Sequence, residues 1–236
     1  MKKRMVIFAA IAAATVFSPI SAHAGEPIKA EIGTDIVSSY LWRGSRLDGP
    51  AFQPTVGLEW NGLSLSAWGS TGFSDACEVD LTLAYSIGGF TVGITDYWAA
   101  STGAKFFDFS AETLHVAEVN LGYDFGPVAL NWYTNCLGAV GCTPEGAKAY
   151  ASYFEVSAPF SLGGIDWSAA VGATPWANDY YGAEGFAVIC ASLTATKEIA
   201  LGSDFSIPVF ASLMANPRSE QLFFSVGVSF RDSQTF

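Results

Sequence analysis

The chain has 236 residues, half of them hydrophobic, with 22 acidic against 11 basic side chains and a formal net charge of −11. Such an acidic balance argues against nucleic acid as a partner. Only 14% of residues are charged, yet 14% are aromatic and 24 are glycine, a mixture unusual for a soluble domain and suited to a barrel wall.

The chain opens on Lys2, Lys3 and Arg4, continues as an apolar run from Met5 to Phe17, and reaches Ala22-His23-Ala24. That is the tripartite plan of a signal peptide cleaved after Ala24. The run is shorter than the roughly 20 residues a transmembrane helix needs. Residues 25–236 remain as one domain, and charged or turn residues interrupt every later apolar stretch, so any membrane span is built from strands.

Period-2 alternation then recurs to the end. It predicts strands over 28–43, 51–60, 63–73, 77–87, 90–98, 112–125, 128–135, 149–160, 165–174, 186–198, 205–214 and 221–230. Tight connections at Asn61-Gly62, Gly88-Gly89, Gly126-Pro127, 161–164 and 201–204 alternate with longer ones at 44–50, 74–76, 99–111, 136–148, 175–185 and 215–220. Short periplasmic turns, long external loops and an even strand count are the outer-membrane plan. The expected fold is all-β: a closed antiparallel transmembrane β-barrel of twelve strands, with ten or fourteen as alternatives.

Alternation also assigns faces. Leu222, Phe224, Val226, Val228 and Phe230 should meet lipid, as should Leu81, Leu83, Tyr85 and Ile87, and Trp167, Ala169 and Val171. Aromatics near the periplasmic ends (Trp60, Phe90, Tyr123, Phe125, Phe160, Trp167, Phe205 and Phe230) and near the external ends (Tyr40, Trp42, Phe52, Phe73, Tyr97, Trp98, Tyr133, Tyr150, Trp176 and Phe186) predict two interfacial girdles. The apolar face ending at Phe230 resembles the signature that barrel-insertion machinery reads, with the tail RDSQTF beyond it as a departure.

The segment DIVSSYLWRG (Asp35 to Gly44), continued by LDGPAFQPTVGLEWNGLSLSAWGSTGF, resembles the start of the TorF-type porins, the Gcw_chp family. Asp35, Ser39, Tyr40, the triplet Trp42-Arg43-Gly44, Pro50 and Gln53 carry the resemblance, which covers roughly the first fifty residues after Ala24. It implies an outer-membrane barrel with a pore. It brings no catalytic residues and no substrate.

Inward parity sends Asp35, Glu59, Asp80, Glu118, Asp124, Glu155 and Asp166 to the lumen, with Arg43 as a counter-charge near the outer rim. Asp35, Glu118 and Glu155 lie nearest mid-strand. A water-filled lumen so lined passes cations or neutral solutes better than anions. Against this, the acids pair with Arg43, Lys29 or Lys197 in a plugged barrel, and Tyr153, Phe210, Met214 and Phe223 fill a lumen narrower than that of wide porins.

Cys136 and Cys142 share one loop of an exported chain, which predicts a disulfide. Cys77 and Cys190 form a second bridge only if their strands approach within about 7 Å. No spacing suits zinc, no cofactor is implied, and His115 beside Glu112 lacks a nominated serine for a lipid hydrolase. The leading function is passive diffusion of small solutes across outer-membrane lipid. The main alternative is a closed barrel whose aromatic loops 99–111 and 175–185 bind a partner or fold inward as a plug.

Overall fold

The computed structural model describes residues 27–101, 103–110, 113–202 and 206–236. The signal-peptide assignment, Glu112 and Phe205 lie outside them. Its strands are β1 (Lys29–Val37), β2 (Tyr40–Trp42), β3 (Ser45–Asp48), β4 (Ala51–Trp60), β5 (Leu63–Gly72), β6 (Ala76–Ile87) and β7 (Phe90–Ser101). They continue as β8 (His115–Asp124), β9 (Ala129–Leu137), β10 (Ser152–Leu162), β11 (Ile165–Thr174), β12 (Ala187–Ala200), β13 (Ser206–Asn216) and β14 (Gln221–Thr235).

Twelve of these close an antiparallel barrel in which every strand pairs with its chain neighbours, and β1 pairs with both β4 and β14. Closure leaves no sheet edge, which is what lets strands satisfy their backbone in hydrocarbon. The outer face is apolar as parity predicted: Leu81, Leu83, Tyr85, Ile87, Val171, Leu222, Phe224, Val226 and Phe230 are all exposed large hydrophobics. Inside lie Asp35, Gln53, Ser64, Ser66, Asp80, Glu118, Ser212 and Ser229, all buried. An apolar outside around a polar inside places the chain in a bacterial outer membrane.

Asn61-Gly62 turns with φ of 50° and 79°, and Gly163-Gly164 with 65° and 70°. Two successive positive φ values are the hairpin geometry whose twist matches the flanking strands.

Three sequence expectations are corrected. The strand expected over 28–43 stops at Val37, because Ser38 and Ser39 leave the β4 ladder and bond to β14 instead. The Ser38 amide donates to the Val226 carbonyl at 2.8 Å, and the Ser225 hydroxyl to the Ser39 carbonyl at 2.8 Å. The chain then turns inward as the separate β2–β3 hairpin. At the other terminus, the last strand, expected over 221–230, continues through the tail to Thr235, with Arg231 to Thr235 in register with Gly33 to Lys29.

The external girdle is also smaller than expected. Phe52, Phe73, Tyr150, Trp176 and Phe186 are exposed, whereas Tyr40, Tyr97, Trp98 and Tyr133 are buried. Tyr40 belongs to the inward hairpin, and Tyr97 and Tyr133 have inward parity. Trp98 faces outward but is covered by the β7–β8 loop, where the Phe106 ring meets it edge-on at 5.3 Å.

Candidate functional site: a hairpin inside the lumen

The hairpin tip is Arg43-Gly44, with φ of 41° and 83°, flanked by the Trp42–Ser45 pair. Glycine adopts such a backbone freely, whereas arginine does so rarely. What holds Arg43 there is its side chain. Its two terminal nitrogens grip Glu118 of β8 as a fork, Nη1 to Oε2 at 2.6 Å and Nη2 to Oε1 at 2.9 Å. Nη1 also reaches the Tyr181 hydroxyl at 2.8 Å, and the Tyr97 hydroxyl donates to Glu118 at 2.9 Å.

Aromatic rings complete the enclosure. The guanidinium carbon lies 4.6 Å from the Trp42 ring, 4.2 Å from Tyr133 and 4.7 Å from Tyr153, close enough for cation–π attraction. Arg43 retains 8% exposure and Glu118 2%. Such a pair takes its strength from charge-assisted bonds that offset the loss of water.

The opposite side of the hairpin seats against β12 and β13. The Gly44 amide points at the Met214 sulfur at 3.2 Å, and Asn216 donates to the Gly44 carbonyl at 3.1 Å. A Cβ on residue 44 would collide with the Ile189 carbonyl, so glycine is required by space as well as by φ. Leu41 enters a buried cluster with Tyr133, Tyr153, Ile189, Cys190 and Met214, against which Phe223 packs. The large inward groups expected to narrow the lumen, Tyr153, Phe210, Met214 and Phe223, thus surround the hairpin.

External loops cap this assembly. In the β11–β12 loop, Asn178 donates to Thr174 and Trp176, while its oxygen receives the Tyr181 amide. That local turn points Tyr180 and Tyr181 inward, where Tyr181 stacks on Trp42 at 6.3 Å. Burial pushes both phenols above their usual range, so they act as neutral hydroxyls. The β9–β10 loop is tied on from outside through Cys142 N to Asp179 Oδ1 at 2.7 Å and Trp176 Nε1 to the Ala149 carbonyl at 2.9 Å. The plug reading of loop 175–185 therefore holds for its tyrosines.

The expected lumen acids separate into three groups. Asp35 and Glu118 are neutralised: Asp35 accepts the Ser229 hydroxyl at 2.5 Å and Arg231 at 3.0 Å, a partner parity did not supply. Near the periplasmic mouth, Glu59 meets Lys29 at 3.6 Å. There Asp124 caps the Gly126 amide at 2.7 Å, and Asp166 accepts from Ser161 at 2.6 Å. Lys197 turns to the Gly164 carbonyl instead of an acid. Among the described residues, Glu155 has only the Tyr153 hydroxyl at 2.7 Å, and Asp80 has no hydrogen-bond partner on either oxygen.

Sequence reasoning missed Glu78. It stands two residues before Asp80 on the same inward face, and its alternation with Asp80 was the available signal. Two spaces flank the plug. An external vestibule of about 760 Å³ is lined by Tyr40, Trp42, Glu78, Tyr97 and Tyr180 among others. A second space of about 980 Å³ along the β14–β1–β4 side is lined by inward Gly33, Thr55, Trp68, Ser229 and Arg231 and also by outward-facing Ile32, Phe52, Val56 and Phe230.

The disulfide expected between Cys136 and Cys142 is not formed, and the condition set for a Cys77–Cys190 bridge is not met; all four cysteines are free. Cys136 has outward parity and points its thiol at the Ala117 carbonyl at 3.2 Å, whereas Cys142 sits in the loop drawn over the mouth. Cys77 and Cys190 lie on β6 and β12, which stand diametrically opposite in the barrel order.

His115 anchors the β7–β8 loop to the outer wall. Its Nδ1 faces Asp96 at 2.8 Å and its Nε2 the Phe106 carbonyl at 2.5 Å, with Phe109 stacked on the ring at 4.9 Å. In the same loop Asp108 accepts the Ser110 amide, which holds its carboxyl below the usual range.

The sequence matches no protein-family model and no curated relative. Among solved structures, the NanC porin aligns over 88% of this chain and 99% of its own, with a TM-score of 0.45 and 11% identity. CymD, described as a monoaromatic hydrocarbon channel, aligns over 89% of each chain with a TM-score of 0.42 and 12% identity. OmpF of Salmonella typhi, in complex with daunomycin, aligns over 87% and 97% with a TM-score of 0.37 and 10% identity. The fold assignment rests on the closed hydrogen-bond ladder itself.

Proposed function

We propose that this protein is a narrow outer-membrane channel of the porin type, of TorF kind, exported with residues 1–24 removed, that passes cations and small neutral solutes past a lumen-resident hairpin. The residues that carry the TorF-type resemblance include the hairpin: Tyr40 and Trp42-Arg43-Gly44 build the constriction, while Asp35 and Gln53 stand opposite each other on the neighbouring wall strands β1 and β4.

The observation that carries the reading is the charge left over once the hairpin is seated. Of the hairpin's two cations, Arg43 is consumed by Glu118 and Arg46 is exposed, its Nε donating to the Asp48 carbonyl, while Asp35 is matched by Arg231. Glu78, Asp80 and Glu155 form no salt bridge among the described residues. A lumen whose unmatched charge is negative and whose walls are of low dielectric draws cations and repels anions. No catalytic role is assigned to His115, whose Nε2 holds the β7–β8 loop at the Phe106 carbonyl while its Nδ1 faces Asp96 of the wall.

Conductance of the refolded chain from Gly25 onward, in a planar bilayer under a salt gradient, tests this. Discrete openings with a cation-selective reversal potential are expected, and selectivity should fall in Asp80→Asn and Glu155→Gln but change little in Asp35→Asn. A heat-modifiable, inserted barrel that never conducts, even with the hairpin released, would reject the channel. The better account would then be a closed barrel presenting its external loops to a partner.

A further inference from the structure

Asp80 is 3% exposed, and neither of its carboxylate oxygens has a hydrogen-bond partner among the described residues. A buried carboxylate left in this way carries a desolvation cost that a bound cation would offset. Its surroundings say which kind of cation. Across the ladder Asp80 stands between Trp68 of β5 and Tyr97 of β7. The hairpin adds one ring to each: Tyr40 meets Trp68 at 5.4 Å, and Trp42 meets Tyr97 at 6.2 Å. Two aromatic pairs thus flank one unmatched acid.

The route to it is marked as well. Glu78, the next inward residue toward the outside, lines the external vestibule together with Tyr40, Trp42 and Tyr97, whereas Asp80 and Trp68 lie outside that lining. The one cation in that vestibule's lining, Arg43, is already held by Glu118.

We propose that Glu78 and Asp80, framed by Tyr40, Trp42, Trp68 and Tyr97, form a binding site for an organic ammonium ion whose apolar or aromatic body rests in the external vestibule. The inference rests on the channel reading above, whose cation preference it makes specific. Divalent metals fit poorly, because they take six or more oxygens and no group of three metal-ligating side chains occurs among the described residues. An ammonium head, by contrast, donates to carboxylate oxygens with its N–H groups and lays its charge against ring faces. Four rings and two acids supply both.

The test is calorimetric titration of phenethylammonium chloride into the refolded chain from Gly25 onward in detergent, with tryptophan emission followed in parallel. Saturable binding is expected, with a spectral change from Trp42 and Trp68, and no binding of uncharged phenethyl alcohol. Asp80→Asn should weaken affinity by about tenfold or more, as expected when a charged hydrogen bond is lost, and Glu78→Gln by less. Glu145→Gln, in the exposed β9–β10 loop, should leave it unchanged. Each variant is first checked for the heat-modifiable mobility of a folded barrel.

Equal affinity in Asp80→Asn, or equal binding of the alcohol, overturns the site and identifies Asp80 as a buried neutral acid. So does displacement of the amine by potassium at matched concentration. Conductance is measured separately. A conducting barrel that binds no amine loses the site and keeps the channel, whereas one that binds amine without conducting keeps the site and loses the channel.

Discussion

Replacing Arg43 with alanine should release the hairpin from the lumen without unfolding the barrel. The substitution removes both bonds to Glu118 and the contact with Tyr181, leaving the Glu118 carboxylate buried with the Tyr97 hydroxyl as its remaining partner. Breaking one side of a buried pair costs about 3 to 5 kcal/mol, and three ring contacts are lost with it. At about 1.4 kcal/mol per factor of ten, the docked state should lose at least a hundredfold in population relative to the released one. None of this touches the twelve-strand ladder, since residues 38–50 contribute no strand to the closed sheet. The expected outcome in a planar bilayer is therefore a larger or longer-lived conductance at unchanged heat-modifiability. Arg43→Lys, which keeps the charge but loses the planar fork, should fall between. If Arg43→Ala conducts as the parent does, and a cysteine placed at Leu41 is no more reactive to maleimide than in the Arg43 background, the hairpin is not held by this pair and the reasoning fails.

Gly44→Ala should release the hairpin by a different cause, the collision with the Ile189 carbonyl, so its conductance should match that of Arg43→Ala. Arg231→Ala leaves Asp35 with Ser229 alone at the β1–β14 seam; it should lower stability in a urea titration by about 2 kcal/mol, less than a fully buried pair because Arg231 is partly exposed. Adding Asp35→Asn should return part of that loss. His115→Ala should detach the β7–β8 loop, and trypsin cleavage of the folded protein after the exposed Lys105 should then accelerate severalfold; unchanged cleavage would mean that Phe106 and Trp98 hold the loop without the histidine.

The barrel wall was legible because a strand facing lipid on one side and polar atoms on the other alternates in its own residues, as Leu222 to Phe230 do. The hairpin was harder to see. Ser38-Ser39 followed by Tyr40-Leu41-Trp42 breaks the alternation, but so short an irregularity inside a stretch read as one strand does not distinguish a bulge in the wall from a segment that folds inside it. Arg43-Gly44, a turn pair where that apparent strand ends, was the other sign. The salt bridges were beyond reach for a further reason: Arg43 and Glu118 are 75 residues apart, and parity says that a side chain enters the lumen but not whom it meets there. Asp80 was placed inside correctly, yet its lack of a partner emerges only when every neighbour's hydrogen bonds are known.

The hairpin sits between the first two wall strands, but its partners arrive late in the chain: Glu118, Tyr181 and Met214 lie 75, 138 and 170 residues downstream. It cannot be seated until the wall that receives it has been laid down, and contacts of such long range form slowly. A newly inserted barrel therefore passes through a stage in which its wall is complete and its lumen still vacant. Freshly assembled molecules should leak before they mature, with a lag set by hairpin docking, and any variant that slows docking would extend that interval of permeability without altering the finished protein.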